Sequence, residues 1–297
     1  ELAAARAAGI PTILLDEDGV LSGQTYAGLL AAGTEYIGLN PALTPVASIQ
    51  AASAAGLKVI VYTVNRRADY AALPADGSVW AVISDDPWYA QATGPMRSRD
   101  IFSAQTYFHG MLGIVSGAED RGFFQAPNWF GLDASGTKHA DNGGYLGVMQ
   151  GYLGPFPSAF TLDVDFVLDA ADSGGSSLQL QLTTGDAEYD DDVDTTGGTR
   201  QPGYNILMRS NGGLDVFKTY GGTTPATKLG GVVTAALVPG AVNHLRVQVT
   251  ASQIIATRTN IATPNSVTVT DSTYRGGMYP HLGVRDVKAR WSNLIPS

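Results

Sequence analysis

Cysteine is absent from this 297-residue chain. That excludes a disulfide framework and any thiolate metal site, and it leaves the compartment open. Basic residues are scarce: 18 Lys and Arg stand against 27 Asp and Glu, a net charge of −9, and no basic run exceeds Arg66-Arg67. Neutralising phosphates needs a basic footprint, so a nucleic-acid partner is not expected. Long apolar runs are missing too, and none approaches the roughly 18 to 20 residues that span a bilayer. The opening stretch ELAAARAAG carries charge at positions 1 and 6 and lacks the apolar core of a signal peptide. It begins without Met and reads as the second half of a helix, so the chain is expected to be a piece of something longer.

What is present falls into two grammars, expected to be a multi-domain α/β plus all-β architecture. In residues 1–92, short apolar strands alternate with Ala-rich helices, with strands expected at Thr12–Leu15, Tyr36–Asn40, Lys58–Val64 and Trp80–Asp85. Between them, Pro45–Ala55 shows a helical stripe of Val46, Ile49 and Leu57, and Gly56 is a helix stop. Buried strands joined by helices are the mark of a parallel α/β sheet. The stretch QATGPMRSRD (91–100) breaks this rhythm, and residues 93–100 are taken as the linker. From 101 to 297 the pattern becomes all-β. In FTLDVDFVL (160–168), Phe, Leu, Val, Phe and Leu share one face and Thr, Asp, Asp and Val the other. Ser177–Thr183, Tyr204–Arg209, His244–Thr250 and Ile254–Thr259 follow suit, the last two joined as a hairpin.

The pair GLKVIVYTVN (56–65) and VWAVISDDP (79–87) resembles the end of a glycerophosphodiester phosphodiesterase. In that family the penultimate strand reads roughly G-hydrophobic-V-W-T-V-N and the last I-I-T/S-D-x-P. Tyr62 stands where the family has Trp, and Ser84 with Asp85 matches the last strand. The resemblance covers about 90 residues and implies the C-terminal half of a (β/α)8 TIM barrel. It implies Tyr62, Asn65 and Asp85 as substrate-binding residues, with Tyr62 as a wall against the alcohol portion. By the rule that barrel chemistry sits at strand ends, Asn40 and the cluster Asp16-Glu17-Asp18 are further candidates. The plainer readings are barrel packing for Tyr62, capping of the next helix for Asp85, and a solvated loop for Asp16–Asp18.

The same resemblance implies absences. The family's early His-Arg-Gly, its Glu-x-Asp for a divalent cation, a second catalytic His and a later Glu are missing. The four histidines, 109, 139, 244 and 281, all lie in the β half. No catalytic residue is therefore assigned here, and whether the parent is an enzyme stays open. The Ca or Mg ion expected in the complete barrel would be held by an upstream part. Independently, four parallel strands leave open edges and an uncovered face, while closing a barrel takes about eight. The missing amino-terminal half is the expected partner, with a homo-oligomer of half-barrels as the alternative.

In the β half, Asp186 to Asp194 packs six carboxylates into nine residues. Asp190, Asp192 and Asp194 mimic the start of an EF-hand loop, but Thr195 and Gln201 occupy the required Gly and Glu positions. A looser calcium loop and an acidic hairpin tip both remain open. Trp129, Tyr145 and Tyr274 lie among amides, carboxylates and Arg275, a mixture suited to sugar C–H faces and hydroxyls, although sandwiches also bury such rings. Strand order and turn placement in 101–297 resemble a concanavalin/laminin-G-type jelly roll, which implies glycan binding or a spacer. The leading expectation is a phosphodiesterase-like piece with a glycan-binding β-sandwich, acting on envelope glycerophosphodiesters or teichoic-acid-like polymers. That pairing implies an extracellular or virion setting such as a phage tail. The alternative is a non-catalytic structural or receptor-binding protein.

Overall fold

A computed structural model describes residues 7–9, 12–16, 25–64, 66–84, 87–94, 123–126, 129–136, 145–149, 153–186, 200–222 and 224–297. The chain divides into two compact units, Glu1–Ala92 and Thr93–Ser297.

In the first unit, strands β1 (Ile13–Asp16), β2 (Tyr36–Leu39), β3 (Lys58–Val61) and β4 (Val79–Val82) form a parallel sheet in sequential order. Helices α1 (Tyr26–Ala31), α2 (Val46–Ala54), α3 (Arg67–Ala71) and α4 (Pro87–Gln91) connect or follow them. Thr25 caps α1 by accepting the Gly28 N–H at 3.0 Å. Gly56, at φ +100°, follows α2 as a left-handed stop. One sheet face packs on the helices: Ile37, Leu39, Val59 and Val61 share a core with Leu29, Ile49 and Ala52. Burying each large aliphatic chain contributes about 1.5–3 kcal/mol. The α2 stripe differs from expectation, since Ile49 and Ala52 are buried while Val46 is exposed. The expected strands 58–64 and 80–85 end earlier, at Val61 and Val82.

The opposite face has no helical cover among the described residues. Ile13 and Leu15, Trp80 and Ile83 are all exposed. Trp80 meets Tyr36 edge-on with centroids 5.2 Å apart, and Lys58 Nζ lies 4.8 Å from the Tyr36 ring.

The second unit is a β-sandwich of two sheets. The seven-stranded sheet runs in the order β15 (Asn265–Thr270), β14 (Gln253–Arg258), β13 (Val242–Val249), β8 (Phe160–Ala171), β17 (Val287–Pro296), β6 (Trp129–Asp133) and β5 (Phe123–Ala126). The six-stranded sheet runs β12 (Thr227–Val233), β11 (Gly213–Gly222), β10 (Arg200–Arg209), β9 (Ser177–Thr183), β16 (Tyr279–Arg285) and β7 (Tyr145–Met149). All their pairings are antiparallel. Leu162, Val164 and Phe166 from one sheet and Leu180, Tyr204 and Ile206 from the other are buried. Period-2 alternation sends one side-chain set of each strand into the core; on β9 the other set is buried as well. The β13–β14 hairpin forms as expected, pairing Val249 with Ile254.

Candidate functional site

Alternation along β9 decides the chemistry of the outer face of the six-stranded sheet. Leu178, Leu180 and Leu182 enter the core, which sends Ser177, Gln179, Gln181 and Thr183 to the other side, where all four are buried as well. Register carries this polar set across neighbouring strands. Gln181 lies opposite His281 and Asn205, and Gln179 lies opposite Gly283 and Leu207. Leu207 in turn faces Asp215, and Asp215 faces Gly231 on the edge strand β12. Asn205 Nδ2 donates to Gln179 Oε1 at 2.6 Å. Thr183 Oγ1 gives its proton to the Gly185 carbonyl at 2.9 Å, so it accepts from Nε2–H of His281 at 2.7 Å. Burial pushes the His281 imidazole down to about 4, against a hydrogen bond with the Gly185 backbone. This ring is neutral at physiological pH.

At the β12 end the face opens into a cleft of about 310 Å³, lined by Arg209, Asn211, Asp215, Lys228, Gly231 and Val233 among others. Arg209 Nε meets Asp215 Oδ2 at 2.8 Å, and Lys228 Nζ meets Oδ1 at 2.7 Å. Burial raises the Asp215 pKa, but the hydrogen bonds and charges of Lys228 and Arg209 outweigh it and hold the carboxyl below its usual value. Gly231 is required by this arrangement, because a Cβ there would stand 2.2 Å from Asp215 Oδ1. The result is a buried anion overlaid by two more accessible cations, beside bare backbone and an apolar rim. Such a set can donate hydrogen bonds to hydroxyl or anionic oxygens while offering Val233 to C–H surface.

The residues singled out in the sequence lie on separate elements. Trp129, half-buried on β6, carries the Arg290 guanidinium 5.5 Å from its ring, and Asp169 holds that guanidinium through two 2.8 Å hydrogen bonds. Tyr145 begins β7, in register with Arg285. Tyr274 lies between β15 and β16, edge-on to Tyr204 at 5.5 Å. There Tyr204 donates to Asp271 Oδ1 at 2.6 Å, and Lys218 Nζ reaches Asp271 Oδ2 at 3.0 Å. Arg275 also donates to the Tyr204 hydroxyl at 3.1 Å. The Tyr274 ring is therefore part of a closed polar knot at one end of the sandwich.

In the first unit, Tyr62 follows β3 and is half-buried; its ring packs 3.0 Å from where a Gly38 Cβ would stand. Asn40 accepts the Ala42 N–H at 3.0 Å and so serves its own turn, while Asp16 ends β1 and is buried. Asn65, Asp85, Asp190, Asp192 and Asp194 lie outside the described residues, as do Glu17 and Asp18. Among the described residues, no group of three or more His, Asp or Glu could hold a metal ion. No helix among them is long and apolar enough to cross a membrane.

Sequence reasoning missed the amide row and the Arg209–Asp215–Lys228 cleft. SLQLQLT advertises the first by strict alternation of Leu with Gln. The second needs the β10–β11–β12 register, which brings together residues up to 19 positions apart and has no local signature.

No protein-family model matches the chain, and no curated protein matches it. Among solved structures it is similar to carbohydrate-binding module CBM66 from Bacillus subtilis, at 14% identity over 59% of this chain and 90% of that one, TM-score 0.40. It is also similar to the VIP36 exoplasmic/lumenal domain in its Ca2+/Man3GlcNAc-bound form, at 10% identity over 58% and 81%, TM-score 0.42. Sheep galectin-11 in complex with glycerol matches at 15% identity over 58% and 98%, TM-score 0.32. At these values no residue role passes from those proteins to this chain.

Proposed function

We propose that residues 93–297 form a glycan-recognition sandwich whose ligand surface is the cleft at the β12 edge of the six-stranded sheet. The observation that carries this reading is the gathering of Arg209, Asn211, Asp215 and Lys228 beside Val233 in one open cleft. An amide and paired charges beside an apolar rim suit a ligand dense in hydroxyls. A glycan array probed with the whole chain tests it. Expected is binding to a restricted set of glycans that weakens in Lys228→Gln; a blank array would reduce the sandwich to a spacer.

The first unit is, in this proposal, the C-terminal half of a phosphodiesterase-type barrel. Sequential parallel strands with helices on a single face support that reading. Tyr62, Asn65 and Asp85 would wall the alcohol side of an envelope glycerophosphodiester or teichoic-acid-like polymer. The acid/base groups and the residues for a Ca or Mg ion would come from the missing amino-terminal half; no described cluster here fits that ion. A metal supplies charge neutralisation at a phosphate in such chemistry. The isolated chain is expected to release no glycerol 3-phosphate from a glycerophosphodiester, with or without divalent cation; turnover by it would overturn this assignment. A calcium loop at Asp190, Asp192 and Asp194 belongs to the same proposal, as does an extracellular or virion setting. A non-catalytic, receptor-binding parent is the second reading, favoured by the confinement of all four histidines to positions beyond 100.

A further inference from the structure

The β12 cleft has a charge balance that narrows its ligand. Among the described residues its ionisable lining is Arg209, Lys228 and Asp215, two cations against one anion. The Asp215 side chain is 8% exposed, whereas Arg209 is 30% and Lys228 53% exposed. A ligand entering the cleft therefore meets the cations, while the carboxylate lies beneath them with both oxygens already engaged. Arg209 spends Nε on Asp215 and one Nη1 proton on the Gly175 carbonyl at 3.1 Å. A guanidinium has five N–H donors and an ammonium three, so both groups retain donors for an incoming acceptor. The cleft volume and the exposed Val233 fit a ring with C–H surface better than a bare ion.

We propose that this cleft binds the anionic group of an acidic saccharide, a uronate carboxylate or a backbone phosphate, with Arg209 and Lys228 as its donors and Val233 against the ring. The inference rests on the reading of the sandwich as a glycan-recognition unit and adds the charge of the ligand. The chain's net charge of −9 repels polyanions at long range, so the preference is local to this cleft. Asp215 acts as a positioning residue: it fixes the two cations side by side and, being held ionised, prevents their mutual repulsion from splaying them.

The test is calorimetric titration of the whole chain at low salt with three probes of matched length: an oligogalacturonate, an oligo(glycerol phosphate) and a neutral glucan. At least one anionic probe is expected to bind about tenfold or more tightly than the neutral one, as one or two charge-assisted hydrogen bonds allow. Whichever anionic probe prevails names the source of the charge. Lys228→Gln should remove most of that preference, and Lys228→Arg should retain it; Lys228 is exposed, so neither variant threatens the fold. Rising salt should weaken the anionic probes more than the neutral one. Equal affinity for neutral and anionic probes would overturn the inference and leave glycan recognition standing. Anionic binding untouched by Lys228→Gln would place the anion elsewhere and overturn it as well. Absence of binding by all three, together with a blank array, would remove both.

Discussion

At the scale of single residues, two histidines with opposite surroundings set opposite pH dependences. His281 is fully buried, and its imidazole is pushed down to about 4. The unfolded chain binds that proton near 6.5, so between those values the unfolded state takes up a proton the fold refuses. Stability therefore falls as pH drops from 6.5 towards 4, by on the order of 3 kcal/mol at its full extent. His244 bridges Asp165 at 2.7 Å through Nδ1 and Asp163 at 2.9 Å through Nε2. Partial burial lowers its pKa, but the two carboxylates prevail and raise it above 6.5. Asp163 also holds Arg246 at 2.8 Å, and Asn293 donates to Asp165 at 2.7 Å, so each carboxylate keeps a partner when the ring deprotonates. The His244 contribution is complete below 6.5 and is lost as pH rises through its elevated folded value. Melting temperatures from about pH 4 to about pH 9 should therefore show both limbs. His281→Gln should flatten the acid limb and His244→Asn the alkaline one, and limbs that persist in these variants would refute the assignments. The sequence shows where these histidines stand but not which is buried between strands and which lies between two carboxylates. Those partners are 79 and 81 positions away for His244 and 98 away for His281.

At the scale of elements, what was legible followed from periodicity. The FTLDVDFVL alternation is found as read, Ser177–Thr183 is a strand as expected but buried on both faces rather than one, and the helix over Val46–Ala54 sits inside Pro45–Ala55. What was not legible is why Tyr274 is held where it is. The connection after β15 is tied into the sandwich end by Asp271, which accepts from Tyr204, Lys218 and the Thr273 N–H. Burial raises the Asp271 pKa, yet these donors dominate and hold it well below the carboxylate range. Arg275 closes the knot by donating to the Thr250 carbonyl at 2.8 Å and to the Asp271 carbonyl. A sequence displays this aromatic and charged cluster without revealing that its members satisfy one another, so a ligand role and a packing role look alike. Asp271→Ala would leave the Tyr204 hydroxyl without its acceptor and Lys218 with only the Thr273 hydroxyl, at a cost of about 2–3 kcal/mol. Tyr204→Phe should cost about 1–2 kcal/mol and the double variant clearly less than the sum, because both changes remove the same hydrogen bond. Urea unfolding of the four species reads this directly, and strict additivity would show that Tyr204 and Asp271 are not coupled. Glycan binding at the β12 cleft should survive all three substitutions, since none of these residues lines it.

At the scale of the molecule, the two units differ in how completely they cover their own apolar surface. The sandwich buries a core between two sheets. The four-stranded sheet of the first unit buries only its helix side and leaves Leu15 at 53% and Trp80 at 56% exposure on the other. Apolar residues clustered on a sheet face, rather than scattered, mark a surface that another layer covers. In the barrel reading that layer is the interior filling supplied by four upstream strands. The distinction can be measured at Leu15. In the chain as it stands, Leu15→Glu touches an exposed position and should change stability by no more than about 0.5 kcal/mol. In a parent carrying the upstream half, the same substitution would bury an unpaired carboxylate in the barrel interior. Its cost there should rise to about 3 kcal/mol or more, with loss of phosphodiester turnover if the parent is active. Tyr70→Ala, on the helix side and packed against the core of the unit, serves as the control and should destabilise both forms alike. A Leu15→Glu effect equally small in both forms would mean that upstream residues do not cover this face. The half-barrel assignment would then fall, while the sandwich and its cleft would be untouched, because they are argued from a different sheet.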